Sequence, residues 1–435
     1  MVAVLSLILL LSISFLALRY TFVKKPYLVK SPWEKRFKMY VNQKQRFILF
    51  LLATAIIQVD SYSSILLFIW MVCLIILLLQ NSTKVSTTPL TITYTLYLLW
   101  LFISLFRTPE TVHGIRVFAK YLFPFLVFLV ANSTKTNKSF FNKLLNVSFM
   151  SGVIVNCLII LMKIIPISSI YRAIFWWPPA VIDANPFFIA TGIIIYSQTK
   201  KKIILFYILL IFCIPFIENV RTGIVGITVF LLAASFFKYK LKSLPLFLFI
   251  FIGLVVSITY VSSIRNKMFS DGFGSANELI SSSNNISILD INTNGRSVLW
   301  EWVLDKYYYG NELVGSGLGQ VQGRLYLGDL FGGIKVVHND FIQILCDTGN
   351  IGLLLYLTTL ISFIWHAFRI YNNKTYSISA RNSAFIAGTS LCGILASAFT
   401  DNVVNYSLIT LSYPFVFFGC ALSLKKHKNS DIHEN

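Results

Sequence analysis

The chain has 435 residues, of which 56% are hydrophobic and only 12% charged, with a mean hydropathy of +0.72. Soluble domains carry about 25% charged residues, so the composition excludes a water-soluble globular domain and requires an outer surface that faces lipid. The net charge of +20 first suggests a nucleic-acid partner, and only the position of the charges decides that.

A bilayer core takes about 20 apolar residues per helix. In chain order the apolar runs fall near 2–18, 47–59, 65–80, 90–106, 116–130, 144–165, 180–197, 203–217, 222–237, 244–261, 350–367, 383–399 and 406–424. They predict an all-α polytopic membrane protein of about 12–13 transmembrane helices. Whether 47–80, interrupted by Asp60, makes two spans or one dipping element is left open by the sequence.

Basic flanks set orientation. The first run is followed by residues 19–46, with nine Lys or Arg and one Glu. This places the N-terminus outside and the C-terminus in the cytoplasm, with an uncleaved first helix. On that alternation the cytoplasmic loops hold 25 of the 37 basic residues, giving the inner face +22 and the outer face −2. Topology accounts for the whole basic excess, so no nucleic-acid partner is expected.

The division that follows is transmembrane helices at 1–261, a large extracytoplasmic loop at 262–349, further spans at 350–424 and a cytoplasmic tail at 425–435. The loop opens on a polar stretch. It continues into RSVLWEWVLDKYYY, where Leu299, Trp302 and Val303 share one helical face and predict a helix lying along the membrane surface. The six cysteines sit in or beside apolar runs without paired spacing, as small buried hydrophobes would.

Cations on the outer face oppose the orientation bias. Arg221, in ENVRTGIVG at the end of a short connection, either pairs with Glu218 or serves a site. Arg296 opens the surface helix, where Glu301, five residues on, is awkwardly placed to pair with it. Two guanidiniums would bind a lipid-carried diphosphate in bidentate fashion and stay charged throughout, neutralising it as a leaving group without a metal. Arg116, Arg172 and Arg324 are supporting candidates.

His338 precedes Asn339 and Asp340, both good N-caps, and the run to Gly349 reads as a short helix. A helix N-terminus favours the neutral imidazole that a general base needs. The alternative is a capping or packing histidine. Asp347 either orients a basic group or caps a turn. The glycines of GSGLGQ match no nucleotide-binding fingerprint, and no acidic pair has metal-ligand spacing. No cofactor and no metal are therefore expected.

VHNDFIQILCDTGNIGLLLYL resembles the signature of the O-antigen ligase and O-antigen polymerase superfamily: a His-Asn pair, an apolar run, an acid, then Gly-x-x-Gly-Leu entering a span. GRSVLWEW, NVRTGIVG, DANPFFIATGIII and TDNVVNYSLITLSYPFVFFG resemble further segments of that family, over roughly 180–424, with Asp347 where family members often carry Glu. The resemblance implies a GT-C-like, metal-independent, inverting glycosyltransferase of the bacterial cytoplasmic membrane. Its donor would be an undecaprenyl-diphosphate-linked glycan, and its acceptor a glycan hydroxyl. It implies His338 as base and Arg221 and Arg296 as diphosphate ligands, with membrane lipid and a chain-length regulator as further partners. Polysaccharide polymerase is the leading reading, beside O-antigen ligase and protein O-oligosaccharyltransferase. A lipid-linked glycan transporter is the alternative from another class. It is disfavoured because transporters place ionisable groups mid-membrane, whereas here they gather outside.

Overall fold

The computed structural model describes residues 2–23, 27–30, 38–59, 62–80, 87–165, 167–260, 296–327 and 334–426. Asp60, the polar stretch after Arg265 and Lys267, and the tail from 427 lie outside the described residues.

Each apolar run forms a helix. In order these are α1 (Val2–Phe22), α2 (Gln43–Thr54), α3 (Ser63–Leu79), α4 (Pro89–Leu105), α5 (Thr111–Ser133), α6 (Lys138–Ile164), a short α7 (Ser168–Ile174), α8 (Pro178–Thr199), α9 (Lys202–Ile217), α10 (Arg221–Tyr239) and α11 (Leu244–Tyr260). After the outer loop come α12 (Arg296–Tyr307), α13 (Gln320–Leu327), α14 (Asp340–Asn372), α15 (Ile378–Ala398), α16 (Ser407–Thr410) and α17 (Ser412–Lys426). Two short strands, Tyr27–Lys30 and Lys38–Val41, pair antiparallel between α1 and α2.

Among the described residues six helices are long and apolar enough to span a membrane, and the bent pair Val403–Thr410 and Ser412–Leu424 makes a seventh. The other runs are shorter: α3 and α4 have 17 residues each and α9 has 16. At 1.5 Å per residue these reach about 25 Å, a little under the hydrocarbon thickness. The 47–80 stretch is two helices, α2 and α3, because the chain between them turns to hydrogen-bond the end of α7. This is a multi-pass membrane protein. Large apolar side chains such as Phe68, Leu99, Leu354 and Trp365 point outward, as a lipid-facing surface demands.

The interior explains several sequence choices. Pro215 in α9 cannot donate to the carbonyl of Ile211, and Asn185 Nδ2 of α8 takes that carbonyl at 3.4 Å. Asn185 and Asn156 also exchange side-chain hydrogen bonds of 2.9 and 3.1 Å. Gly226 of α10 and Gly393 of α15 bring those helices to backbone contact: a Cβ on Gly226 would lie 2.7 Å from Ser397 Oγ.

α14 breaks at Gly349, whose φ of 68° is left-handed. A break frees carbonyls before it and amides after it, and nearby segments take them up. Ser316 N and Gly317 N bind the carbonyls of Cys346 and Asp347, and Trp100 Nε1 binds that of Thr348. Asn350 N and Ile351 N donate to the carbonyls of Glu312 and Leu313. The glycine-rich loop is thus a clamp on the kink.

The surface-helix expectation for α12 is modified. Leu299 and Val303 are fully buried, packing with Tyr307, Val321, Leu325, Val337 and Cys346 into a small separate core. That apolar face meets α13 and the start of α14, because both stand over it.

Candidate functional site

The site begins where three chain breaks come together. At the first, α9 ends at Ile217 and the chain turns through Asn219, left-handed at φ 53°. Arg221 is therefore the first residue of α10, at the positive end of its dipole. Glu218, the partner that spacing offered, pairs instead with Lys163 at 3.1 Å.

The second break is the start of α14. Asn339 is its N-cap, its side chain accepting from Phe341 N and Ile342 N at 3.0 Å each. His338 just before it has φ 56°, an unfavourable conformation for a residue with a Cβ. Its backbone amide donates to Asn402 Oδ1 at 2.5 Å, and its Nδ1 lies 3.1 Å from Asp401 Oδ1. A carboxylate only accepts, so Nδ1 carries the hydrogen and Nε2 keeps its lone pair.

The third is the loop after α15. Asp401 N and Thr400 N bind the carbonyl of Ser397, and Asp401 Oδ1 also accepts from Asn402 N at 2.7 Å. Asn402, fully buried, donates to Asp340 Oδ1 at 3.1 Å and to Gln343 Oε1 at 3.0 Å. Asp340 Oδ2 accepts from Val404 N at 3.0 Å. Lys120 of α5, within reach of the Asp340 charge, donates to Asn405 Oδ1 at 2.5 Å.

Arg296 joins this loop from α12, its guanidinium donating to the carbonyl of Thr400. Burial pushes its guanidinium below the usual arginine range, nearby Asp401 opposes that, and Arg221 reinforces it by repulsion. The two arginines are therefore close enough to repel, and Arg296 lies beside the Asp401 that holds His338. Two like charges brought together in a half-buried place form a receptor for a multivalent anion.

The other sequence candidates fall elsewhere. Asp347, buried, accepts from Gly319 N at 2.9 Å and Val321 N at 3.2 Å, capping α13. Arg324 pairs with Glu110 at 3.5 Å. Arg172 stacks on Trp177, 5.6 Å from its ring centre. Arg116 is exposed on α5, one turn before Lys120. Sequence reasoning missed Asp401, Asn402 and Asp340 as partners of the site. The segment TDNVVNY carried the only signal, and its likeness to a family segment gave no role to any one residue. Among the described residues, no three His, Cys, Asp or Glu side chains group as a metal site.

Arg221, Arg296 and His338 all lie in one stretch that also matches a known family. Residues 205–357 match the O-antigen ligase family model. That match, roughly a third of the chain, supports the O-antigen ligase and polymerase superfamily and a membrane glycosyltransferase-like enzyme acting on lipid-linked glycan and acceptor. No curated protein matches the chain. The O-antigen ligase region runs from α9 to the first half of α14, so it contains the base candidate and both arginines but not Asp401.

Proposed function

We propose that this protein is a polysaccharide polymerase that transfers a glycan from an undecaprenyl-diphosphate carrier to a sugar hydroxyl at the outer face of the cytoplasmic membrane. What supports the reading is that His338 and Arg296 both bond to the 400–402 loop and that Arg221 lies within electrostatic reach of Arg296. Arg221 and Arg296 bind the diphosphate and neutralise its charge as the glycosidic C–O bond breaks. Nε2 of His338 removes the proton of the acceptor hydroxyl, and Asp401 orients the ring and stabilises the imidazolium that forms. The hydroxyl oxygen attacks C1 from the side opposite the diphosphate, so the configuration inverts. Two guanidiniums supply the electrostatic role a metal would otherwise take, which makes the reaction metal-independent.

The N-terminus outside, the C-terminus inside and the 262–349 segment as an extracytoplasmic unit belong to the same proposal, because the basic residues then face the cytoplasm. So does a chain-length regulator as partner. Arg116, Arg172 and Arg324 stay supporting candidates away from the arginine pair, and Asn339 and Asp347 are assigned to holding the base and the kink.

The test is reconstitution of the purified protein in liposomes with lipid-linked repeat units as sole glycan. A ladder of carrier-linked oligomers is expected. A single transfer that occurs only when lipid A-core is added would replace polymerase with ligase, and no transfer to any sugar would end the glycosyltransferase reading.

A further inference from the structure

Lys120 and Arg116 are cations that the mechanism above leaves unused. They lie four residues apart on α5, with His113 three residues before Arg116, so the three share one face of the helix. The charges feel one another: that of Arg116 bears on both His113 and Lys120. Glu110, the acid nearest to them in sequence, is held by Arg324 at 3.5 Å. On the topology proposed above this stripe enters the membrane from the outer face, against the orientation bias. Ionisable groups within a span usually serve a function.

The stripe ends at the loop that holds the base. Lys120 Nζ donates to Asn405 Oδ1 at 2.5 Å, and Asn405 is four residues beyond Asp401, the partner of His338 Nδ1. Fully extended, four residues span at most about 14 Å, and the tight helical turn at Val403–Tyr406 shortens this. An ammonium has three donors, of which Asn405 engages one. Asp340 lies within reach of the Lys120 charge, while its own oxygens accept from Asn402 and Val404 N. One turn further out on α5, Arg116 is exposed. The 400–405 loop is thus bound by a cation at each end, Arg296 at Thr400 and Lys120 at Asn405.

We propose that Lys120 and Arg116 form an acceptor subsite that holds the carboxylate of an acidic sugar, so that the hydroxyl presented to His338 belongs to that sugar or its neighbour. This rests on the transferase reading above and names its acceptor class. Two features select a single carboxylate over a second diphosphate. Asp340 offsets part of the positive charge, leaving an excess suited to one negative charge. The subsite also lies within a loop's length of the base, whereas a carrier diphosphate is separated from the accepting hydroxyl by the rest of the repeat unit. Arg116 supplies a planar fork that fits a carboxylate, and Lys120 a point charge beside it. A neutral sugar would leave the repulsion between the two cations uncompensated, so the subsite discriminates as well as binds.

The experiment uses the full-length protein in phosphatidylcholine nanodiscs, with lipid-linked repeat units as donor. The acceptor is the repeat-unit oligosaccharide freed from its carrier and labelled at the reducing end. It is offered both as isolated and after reduction of its carboxyl to the alcohol. A repeat unit whose composition includes no carboxylate-bearing sugar overturns the inference at once. For the wild type, reduction is expected to raise KM for the acceptor roughly tenfold, with KM for the donor unchanged. In Arg116→Gln, a change at an exposed side chain, that ratio should shrink to about twofold or less. Equal use of both acceptors by the wild type overturns the inference alone, since transfer still proceeds and no variant has to fold. A preference undiminished in Arg116→Gln does the same, and is the result expected if Arg116 served a phospholipid phosphate. If neither free oligosaccharide is used while lipid-linked units still polymerise, the acceptor is held through its carrier and the inference again fails alone. Absence of transfer even among lipid-linked units would overturn the transferase reading and the inference with it.

Discussion

His338 and Asp401, 63 residues apart, meet through Nδ1 and Oδ1 at 3.1 Å, with the histidine side chain 28% exposed and the aspartate 8%. The pairing fixes the tautomer that leaves Nε2 as proton acceptor. Asp401→Asn keeps the shape but turns an acceptor-only group into one that also donates, and it removes the charge that stabilises an imidazolium. A drop in kcat of about 10²-fold or more is expected, with little change in KM for the donor. The measurement is initial rates with lipid-linked substrate; a variant within twofold of wild type would remove the dyad. His338→Ala should abolish transfer while the protein still inserts in the membrane.

Arg296 separates a planar fork from a point charge. Arg296→Lys keeps the positive charge but cannot make two parallel bonds to phosphate oxygens. A loss of roughly tenfold or more in kcat/KM is expected, and Arg221→Lys should behave alike. Equal activity of the lysine variants in the same assay would show that neither arginine grips the diphosphate.

Much of this arrangement was legible in the sequence, and the limits are instructive. Apolar runs located the long helices, because backbone satisfaction in lipid leaves few alternatives, whereas the short α7 and α13 went unread. The sequence also picked out His338 and Arg296, which both bond to the 400–402 loop, and Arg221, which lies within electrostatic reach of Arg296. What local reading could not supply was pairing across distance. Glu218 is three residues from Arg221 yet binds Lys163, because Asn219 turns the chain between them. Asp401 and Asn402 reach His338 only because α15 stops where α14 begins. The apolar face of α12 read as lipid-seeking because α13 and Val337, which cover it, are separated from it in sequence by a glycine-rich loop.

Asp347 distinguishes support from chemistry. Its carboxylate holds Gly319 N and Val321 N and is almost wholly buried. Asp347→Ala leaves two buried amides unpaired, at about 1–3 kcal/mol for each unsatisfied group. The melting temperature in detergent should fall by several degrees, while residual kcat at low temperature stays within a few-fold of wild type. An unchanged melting temperature with lost kcat would instead place Asp347 in the reaction.

Gly349 tests the clamp. Its φ of 68° is disfavoured for any residue with a Cβ, and such a Cβ would press on the backbone of Leu313 and Val314. Gly349→Ala is expected to cost about 1–3 kcal/mol, seen as a lowered melting temperature. Straightening the helix would also shift His338, eleven residues earlier, so activity should fall along with stability. A fully active, equally stable alanine variant would show that the break is not needed to aim the base.

Metal removal addresses the charge argument directly. If Arg221 and Arg296 together neutralise the leaving diphosphate, chelation should leave transfer untouched, since guanidiniums stay protonated throughout the physiological range. Transfer assayed with and without EDTA, after dialysis against chelator, should agree within error. A large loss restored by magnesium or manganese would mean that a cation brought in with the diphosphate shares the work. The arginines would then act as anchors for the substrate, and the lysine variants described above should lose affinity more than turnover.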